Sequence, residues 1–279
     1  MEHKSGYVTV DGAQLYYERA GAGEPVVLLH TGNGDTGLWD GQFEELARDY
    51  SVIRYDVRGF GRSGYPPVPF LLARDLAGLL DHLEVTRAHV IGPSFGGRIA
   101  TEFAVLYPER VASLLLAAPV LRDHVWSQEV TSLRMSDEKA FQDGDLDAAT
   151  DFMLKGFVAG PRRTLDQMDP GLLAKIRVSQ AIAYNRRRAT MDEAGGQEPD
   201  EEELSPPAGE RLSSISAPTL VLIGGMDQPD CIMLGARIAG SVPGARSRWL
   251  PDIGHMITAE RPAEFLGIAR EFLGSVPRL

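Results

Sequence analysis

The residues best suited to chemistry lie in Gly92-Pro93-Ser94-Phe95-Gly96-Gly97, a Gly-x-Ser-x-Gly pattern. An apolar run, Ala88-His89-Val90-Ile91, enters it, and a helix-like run from Arg98 to Ala104 leaves it. That is the strand–turn–helix setting in which a serine is held out on a sharp turn as a nucleophile. Glycines at 92 and 96 suit such a turn, because side chains there would collide as strand and helix close on each other.

A serine hydroxyl near neutral pH needs a base to take its proton, and the base needs an acid to orient it. Of six histidines (His3, His30, His82, His89, His124 and His255), only His30 and His255 fall at expected strand ends with glycine within two residues. His255, in Asp252-Ile253-Gly254-His255-Met256 after the last strand, is the expected base. Asp227 is the expected acid because it directly terminates the turn Ile223-Gly224-Gly225-Met226. Asp230 in the same loop and Asp123 after an earlier strand compete with it. The order Ser, Asp, His agrees with this turn architecture. The developing oxyanion needs two backbone N–H groups. Phe95 at the helix start offers one; Gly32 in His30-Thr31-Gly32-Asn33-Gly34 is expected to offer the second, with Thr31 and Asn33 as alternatives.

Positioning these groups requires a scaffold, and the hydrophobic periodicity supplies one. Tyr7–Val10 and Gln14–Glu18 read as a hairpin turned at Asp11-Gly12. Pro25–His30, Ser51–Asp56, His89–Gly92, Val111–Ala118, Pro218–Gly224 and Ser247–Leu250 read as further strands. Helical patterns fall between them: Trp39 to Tyr50, Leu72 to Leu83, Phe95–Tyr107, Cys231–Val242 and Pro262–Leu273. Repeated strand–helix units imply an α/β fold with a mostly parallel sheet covered on both faces. The alternation lapses between 120 and 214, which reads as a helical insertion, or lid, dividing a core of residues 1–119 and 215–279. Trp126, Phe141, Phe152, Met153, Phe157, Met168 and Tyr184 are its candidate pocket-wall residues, ordinary packing being the commoner role for such side chains. Arg186-Arg187-Arg188 is strongly basic, and the Asp-, Glu-, Gly- and Pro-rich stretch 192–210 reads as a solvated, mobile loop. Asp56-Val57-Arg58-Gly59-Phe60-Gly61-Arg62-Ser63 matches no phosphate-binding fingerprint and reads as a turn bracing a strand end.

Composition bounds the function. The 279 residues are 43% hydrophobic and 24% charged, ordinary for a globular domain with a substantial core. A net charge of −11 disfavours nucleic acid and anionic membranes as partners. The single cysteine, Cys231, cannot form an intrachain disulfide, no apolar run is long enough to span a bilayer, and no leader is expected, since no terminal segment has a leader's apolar stretch. A reducing cytoplasm is therefore the expected location. No cysteine–histidine cluster has metal-ligand spacing, so no metal and no cofactor are expected. A small-molecule substrate is the expected partner, with monomer and homodimer both open.

His30-Thr31-Gly32, Asp56 to Ser63, Gly92 to Gly97, Asp227 and Gly254-His255 together resemble the α/β-hydrolase superfamily, over nearly the whole chain except the insertion. The resemblance is to its bacterial branch of esterases, enol-lactone hydrolases, carbon–carbon bond hydrolases and cofactor-free haloperoxidases. It implies an eight-stranded core, a helical cap and a Ser94–His255–Asp227 triad. Two positions depart from the family pattern: Thr31 stands where glycine is usual, and Pro93 precedes the serine. Serine as nucleophile separates the chain from the haloalkane dehalogenases, which use aspartate. The function implied is hydrolysis of a small to medium, partly apolar carboxylic ester or lactone through an acyl-enzyme on Ser94. The alternatives are carbon–carbon hydrolysis, lyase or cyclisation chemistry with the same residues, or a slow-turnover ligand sensor.

Overall fold

The computed structural model describes residues 3–278. Eight strands, β1 (His3–Val10), β2 (Ala13–Ala20), β3 (Pro25–Leu28), β4 (Ser51–Tyr55), β5 (Ala88–Pro93), β6 (Val111–Ala117), β7 (Thr219–Gly224) and β8 (Arg246–Leu250), form one sheet. Their order is β1-β2-β4-β3-β5-β6-β7-β8. The β1–β2 and β2–β4 pairs are antiparallel and the others parallel, so the expected mostly parallel eight-stranded sheet is present. Nine α-helices are described: α1 (Asp40–Leu46), α2 (Leu72–His82), α3 (Phe95–Leu106), α4 (Gln128–Asp143), α5 (Leu146–Met153), α6 (Pro170–Glu193), α7 (Pro229–Ser241), α8 (Ile257–Glu260) and α9 (Pro262–Ser275).

Alternation along the central strands builds two cores. Val27, Leu29, Val90, Leu114 and Leu116 face one side, where they meet Leu76, Ile99, Phe103, Leu234 and Ile238 of α2, α3 and α7. Val26, Leu28, Ile91, Leu115 and Ala117 face the other, against Phe43 and Leu46 of α1 and Phe265 and Phe272 of α9. Strands buried on both faces read as continuous apolar runs, which is what the sequence shows at β3, β5 and β6. The chain builds outward from β3 to β4, then returns to place β5 on the other flank of β3. Loops leaving β3 and β5 therefore diverge at a switch point, where a crevice opens beyond the strand ends.

Helices α4, α5 and α6 all lie between β6 and β7. Their starts are legible as caps: Ser127, Asp145 and Asp169 accept from the N–H groups of Val130, Ala148 and Leu172. A π turn at Leu154–Ala159 links α5 to the residues that follow. Within this region Phe141, Ala149 and Tyr184 make one small core. Leu154, Val158, Met168 and Ile176 make another with Met256, the neighbour of His255.

The expectation of a solvated, mobile loop over 192–210 is corrected by the structure. Asp192 and Glu193 complete α6, and the segment beyond is stitched to the sheet side of the molecule. Phe70 N–H donates to Asp200 O at 3.0 Å, and Glu202 N–H donates to Phe70 O at 2.8 Å. Four carboxylates find arginines: Glu198 meets Arg187 at 2.5 Å, Glu201 meets Arg98 at 2.6 Å, Glu202 meets Arg74 at 3.0 Å and Glu203 meets Arg122 at 3.1 Å. A composition typical of disorder is ordered here by charges distant in sequence. The basic run is turned inward too, onto backbone carbonyls. Arg186 donates to the carbonyls of Phe60, Gly61 and Ser63, and Arg188 to Phe141 O.

Candidate active site

Ser94 has φ 50° and ψ −114°, a left-handed conformation that costs free energy for any residue with a Cβ. The turn is over-determined around it. Ser94 N–H donates to Ala117 O at 2.9 Å, and Ser94 O accepts from Arg98 N–H at 3.0 Å. A Cβ on Gly92 would strike the Gly96 backbone; one on Gly96 would lie 2.7 Å from His30 O. Both flanking glycines are thus required by the closeness of β5, α3 and the loop after β3.

The other two groups arrive from neighbouring strand ends. Asp227 ends the turn after β7, and His255 lies in the loop after β8. The two loops are bonded together by Gly225 N–H to Leu250 O at 2.8 Å and Met226 N–H to Ile253 O at 2.9 Å. His255 Nε2 stands 2.7 Å from Ser94 Oγ, and its Nδ1 stands 2.8 Å from Asp227 Oδ2. Both His255 and Asp227 are buried. Asp227 Oδ1 accepts from Gln228 N–H at 2.6 Å, which fixes the carboxylate's rotation. The structure therefore brings Ser94, His255 and Asp227 into one hydrogen-bonded line.

Neither competing acid reaches the imidazole. Asp230 is engaged by His124 Nε2 at 3.0 Å and by Ser127 N–H at 2.8 Å, and Asp123 faces Arg237. His30 is structural: its Nε2 accepts from Val57 N–H at 2.9 Å, and its Nδ1 lies 2.7 Å from Thr31 O. Burial holds the His30 imidazole below its ordinary pKa, so it stays neutral in that role. The Asp56–Ser63 turn braces β4 as expected. Asp56 accepts from Thr36 and Arg62 N–H groups, each at 2.8 Å, and Arg58 is buried against Asp75 at 2.6 Å.

Gly32, Asn33, Ser94, Phe95 and His255 all line a cavity of about 410 Å³. Phe95 begins α3, so its N–H has no acceptor within the helix. Gly32 packs against Phe95, a Cβ there falling 3.3 Å from the Phe95 Cβ. Of the three residues weighed for the second donor, Gly32 and Asn33 border this cavity. Thr31 is not among the residues lining it. Trp126, Met153 and Phe157 form part of the cavity wall, Phe157 with its ring 5.3 Å from that of His255. A second compartment of about 240 Å³ adjoins it, sharing Gly32, Phe95, Asp137, Met153 and Glu201, with Tyr184 on its far wall. Phe141, Phe152 and Met168 pack inside the inserted region. The sequence reading missed Arg98, Arg122 and Glu201, which also border the first cavity; the acidic composition around Glu201 pointed to solvent.

Folding also brings Cys231 close to the triad. Asp227, Cys231 and His255 offer ligand-type atoms within 4.8 Å of one another, the one such group among the described residues. Burial and the neighbouring Asp227 push the Cys231 thiol well up, which keeps it protonated and a poor metal ligand. His255 Nδ1 is already committed to Asp227.

The family model for the alpha/beta hydrolase fold matches residues 24–262. The chain belongs to the alpha/beta hydrolase family. It is 31% identical over 287 residues to a 2-hydroxy-6-oxononadienedioate/2-hydroxy-6-oxononatrienedioate hydrolase of Burkholderia vietnamiensis, covering 96% of this chain and 95% of that protein. Among solved structures it resembles a hydrolase from Pseudomonas aeruginosa PA01, with TM-score 0.79, 30% identity and coverage of 97% and 98%. It also resembles the enol-lactonase from Burkholderia xenovorans LB400, with TM-score 0.76, 26% identity and coverage of 97% and 100%. The chain is thus an alpha/beta hydrolase by family and an enzyme of hydrolase type. No helix among its described residues is long and apolar enough to cross a membrane.

Proposed function

We propose that this alpha/beta hydrolase cleaves a small to medium, partly apolar carboxylic ester or lactone through an acyl-enzyme on Ser94. The observation that carries the reading is the pair of contacts made by His255, 2.7 Å to Ser94 Oγ and 2.8 Å to Asp227 Oδ2. His255 Nε2 takes the Ser94 proton as Oγ bonds to the acyl carbon, and the carbonyl π electrons move to oxygen. The N–H groups of Phe95 and Gly32 hold that oxyanion. His255 then gives the proton to the departing alcohol oxygen as its bond to carbon breaks. A water attacks the acyl-enzyme with His255 again as base, and Ser94 is restored. Asp227 fixes the imidazole tautomer and stabilises its cation. The inserted helices act as the lid, contributing Trp126, Met153 and Phe157 to the cavity wall.

The test is fluorophosphonate labelling of wild type and Ser94→Ala, with p-nitrophenyl butyrate turnover followed in parallel. Wild type should label and turn over. Ser94→Ala should do neither, with turnover down by about 10⁴-fold or more, while its melting temperature stays within a few degrees. A labelled or active alanine variant would sink the assignment. The Burkholderia vietnamiensis relative supports a second reading, hydrolysis of a carbon–carbon bond with the same groups. Product mass analysis on a dienoate ring-fission substrate separates the two.

A further inference from the structure

We propose that Glu201 is a specificity-determining residue that closes the cavity to anionic substrates, so that the ester or lactone cleaved is uncharged; this rests on the serine-hydrolase reading above. Arg98 and Arg122 both border the cavity that holds Ser94 and His255. Two guanidinium forks beside a nucleophile would ordinarily form a carboxylate trap. Here an internal carboxylate already fills it. Arg98 Nη2 donates to Glu201 Oε1 at 2.6 Å, and Arg122 Nη1 lies 2.9 Å from Glu201 Oε2. Each oxygen of Glu201 is taken by a different arginine.

Displacing this carboxylate would require moving a fixed backbone. The residues flanking Glu201 both bond to Phe70, and Arg122 Nη2 also donates to Glu201 O at 3.0 Å. Arg98 has little freedom to turn, being 9% exposed with its guanidinium 4.7 Å over the Phe95 ring. Further acid surrounds the pair: Glu203 lies 3.1 Å from Arg122, and Glu102 lies 3.9 Å from Arg98. Two cations thus face three carboxylates. The two arginines bordering the second compartment are matched as well. Arg58 is paired with Asp75, and Arg187 with Glu138 and Glu198. Arg134, the remaining arginine on the first cavity, is exposed at its rim with its guanidinium 5.6 Å over the Trp126 ring and holds no ion pair among the described residues. A substrate carboxylate that reaches Arg98 and Arg122 beside Ser94 finds Glu201 already between them, whereas an uncharged acyl chain meets Phe95, Trp126, Met153 and Phe157 without penalty.

The experiment compares kcat/KM for p-nitrophenyl pentanoate with that for mono-p-nitrophenyl glutarate, an ester of the same chain length carrying a carboxylate. Wild type should favour the pentanoate by about 100-fold. Glu201→Gln removes the charge at nearly constant shape. It should shrink that preference by about 10-fold or more, mainly through the KM of the glutarate ester, and the gain should weaken with added salt. Adding Arg98→Gln to Glu201→Gln should reverse the gain. Wild-type rates within threefold of each other, or a preference unmoved by Glu201→Gln, overturn the proposal. The wild-type ratio is informative by itself if the variant does not fold. If wild type hydrolyses neither ester, the serine-hydrolase reading fails separately, and calorimetric titration with glutarate decides the inference. Binding to Glu201→Gln and not to wild type upholds it; detectable binding to wild type overturns it.

Discussion

The strand-end loops and the inserted helices are held by different physics. Ser94, Asp227 and His255 are placed by apolar strands and by backbone approaches so close that glycine is required at 92 and 96. The inserted region has only small apolar cores, one of them shared with Met256, and meets the sheet side through several arginines: Arg162 to Gly225 O, Arg163 to Glu260 and Arg186 to three turn carbonyls. A dense apolar frame fixes reacting atoms within fractions of an ångström. A charge-stitched cover can change partner or sequence without moving them. On the proposed function, the chemistry belongs to the first region and selectivity to the second.

The largest effect expected from this contrast is at Asp227. Asp227→Asn keeps the shape of the turn but loses the charge that orients and stabilises the His255 imidazole, and should lower kcat by about 10⁴-fold. Its melting temperature should change far less than its rate, and ester selectivity should not change, because neither compartment is lined by Asp227. Steady-state kinetics on the pentanoate and glutarate esters check this. A shift in their ratio would mean that the two regions are not separable.

The same contrast explains what could be read from sequence. Strands β3 to β7 and helices α2, α3, α7 and α9 were legible because burial on one or two faces writes a period into the residues. The site was legible because the elbow restricts residue type at Gly92, Ser94 and Gly96. Asp227 stood out over Asp230 only by its place at the end of a glycine turn, and it is Asp227 that the fold places 2.8 Å from His255 Nδ1. The segment 192–210 was misread because its order comes from arginines at positions 74, 98, 122 and 187, and long-range charge pairing leaves no local period. The clue available was the abundance of arginine opposite it, with Arg186-Arg187-Arg188 the densest instance.

A smaller effect should sharpen the difference between the regions. Arg186 Nη1 donates to Gly61 O at 2.8 Å and Phe60 O at 3.1 Å, and also to Ser63 O. Arg186→Gln cannot satisfy all three carbonyls, and charged hydrogen bonds of this kind contribute about 2 kcal/mol. The loss should fall on the inserted helices. Limited proteolysis should cut within 120–214 faster than in wild type, while the sheet fragments resist as before. Equal acceleration of cleavage throughout the chain would show that inserted region and sheet open as one unit.

The smallest effect concerns Glu102, where the charge network reaches down into the apolar frame. Glu102 lies on α3, 5% exposed, with Oε2 lacking a hydrogen-bond partner among the described residues. Burial raises its pKa, with Arg98 pulling the other way from 3.9 Å. A carboxyl whose folded pKa exceeds its unfolded one binds its proton more tightly in the native state. Its contribution to stability is complete below the ordinary glutamate range and is lost as pH rises through the elevated value. At pH 7 the charged form is thus a net cost to the fold. Glu102→Gln should melt above wild type at pH 7, and the gap should close as pH falls to about 4, into the ordinary glutamate range. Thermal melts across that range check the sign. A variant less stable than wild type at pH 7 would mean that the Arg98 pairing outweighs burial. Charge would then stabilise the frame as it does the inserted helices.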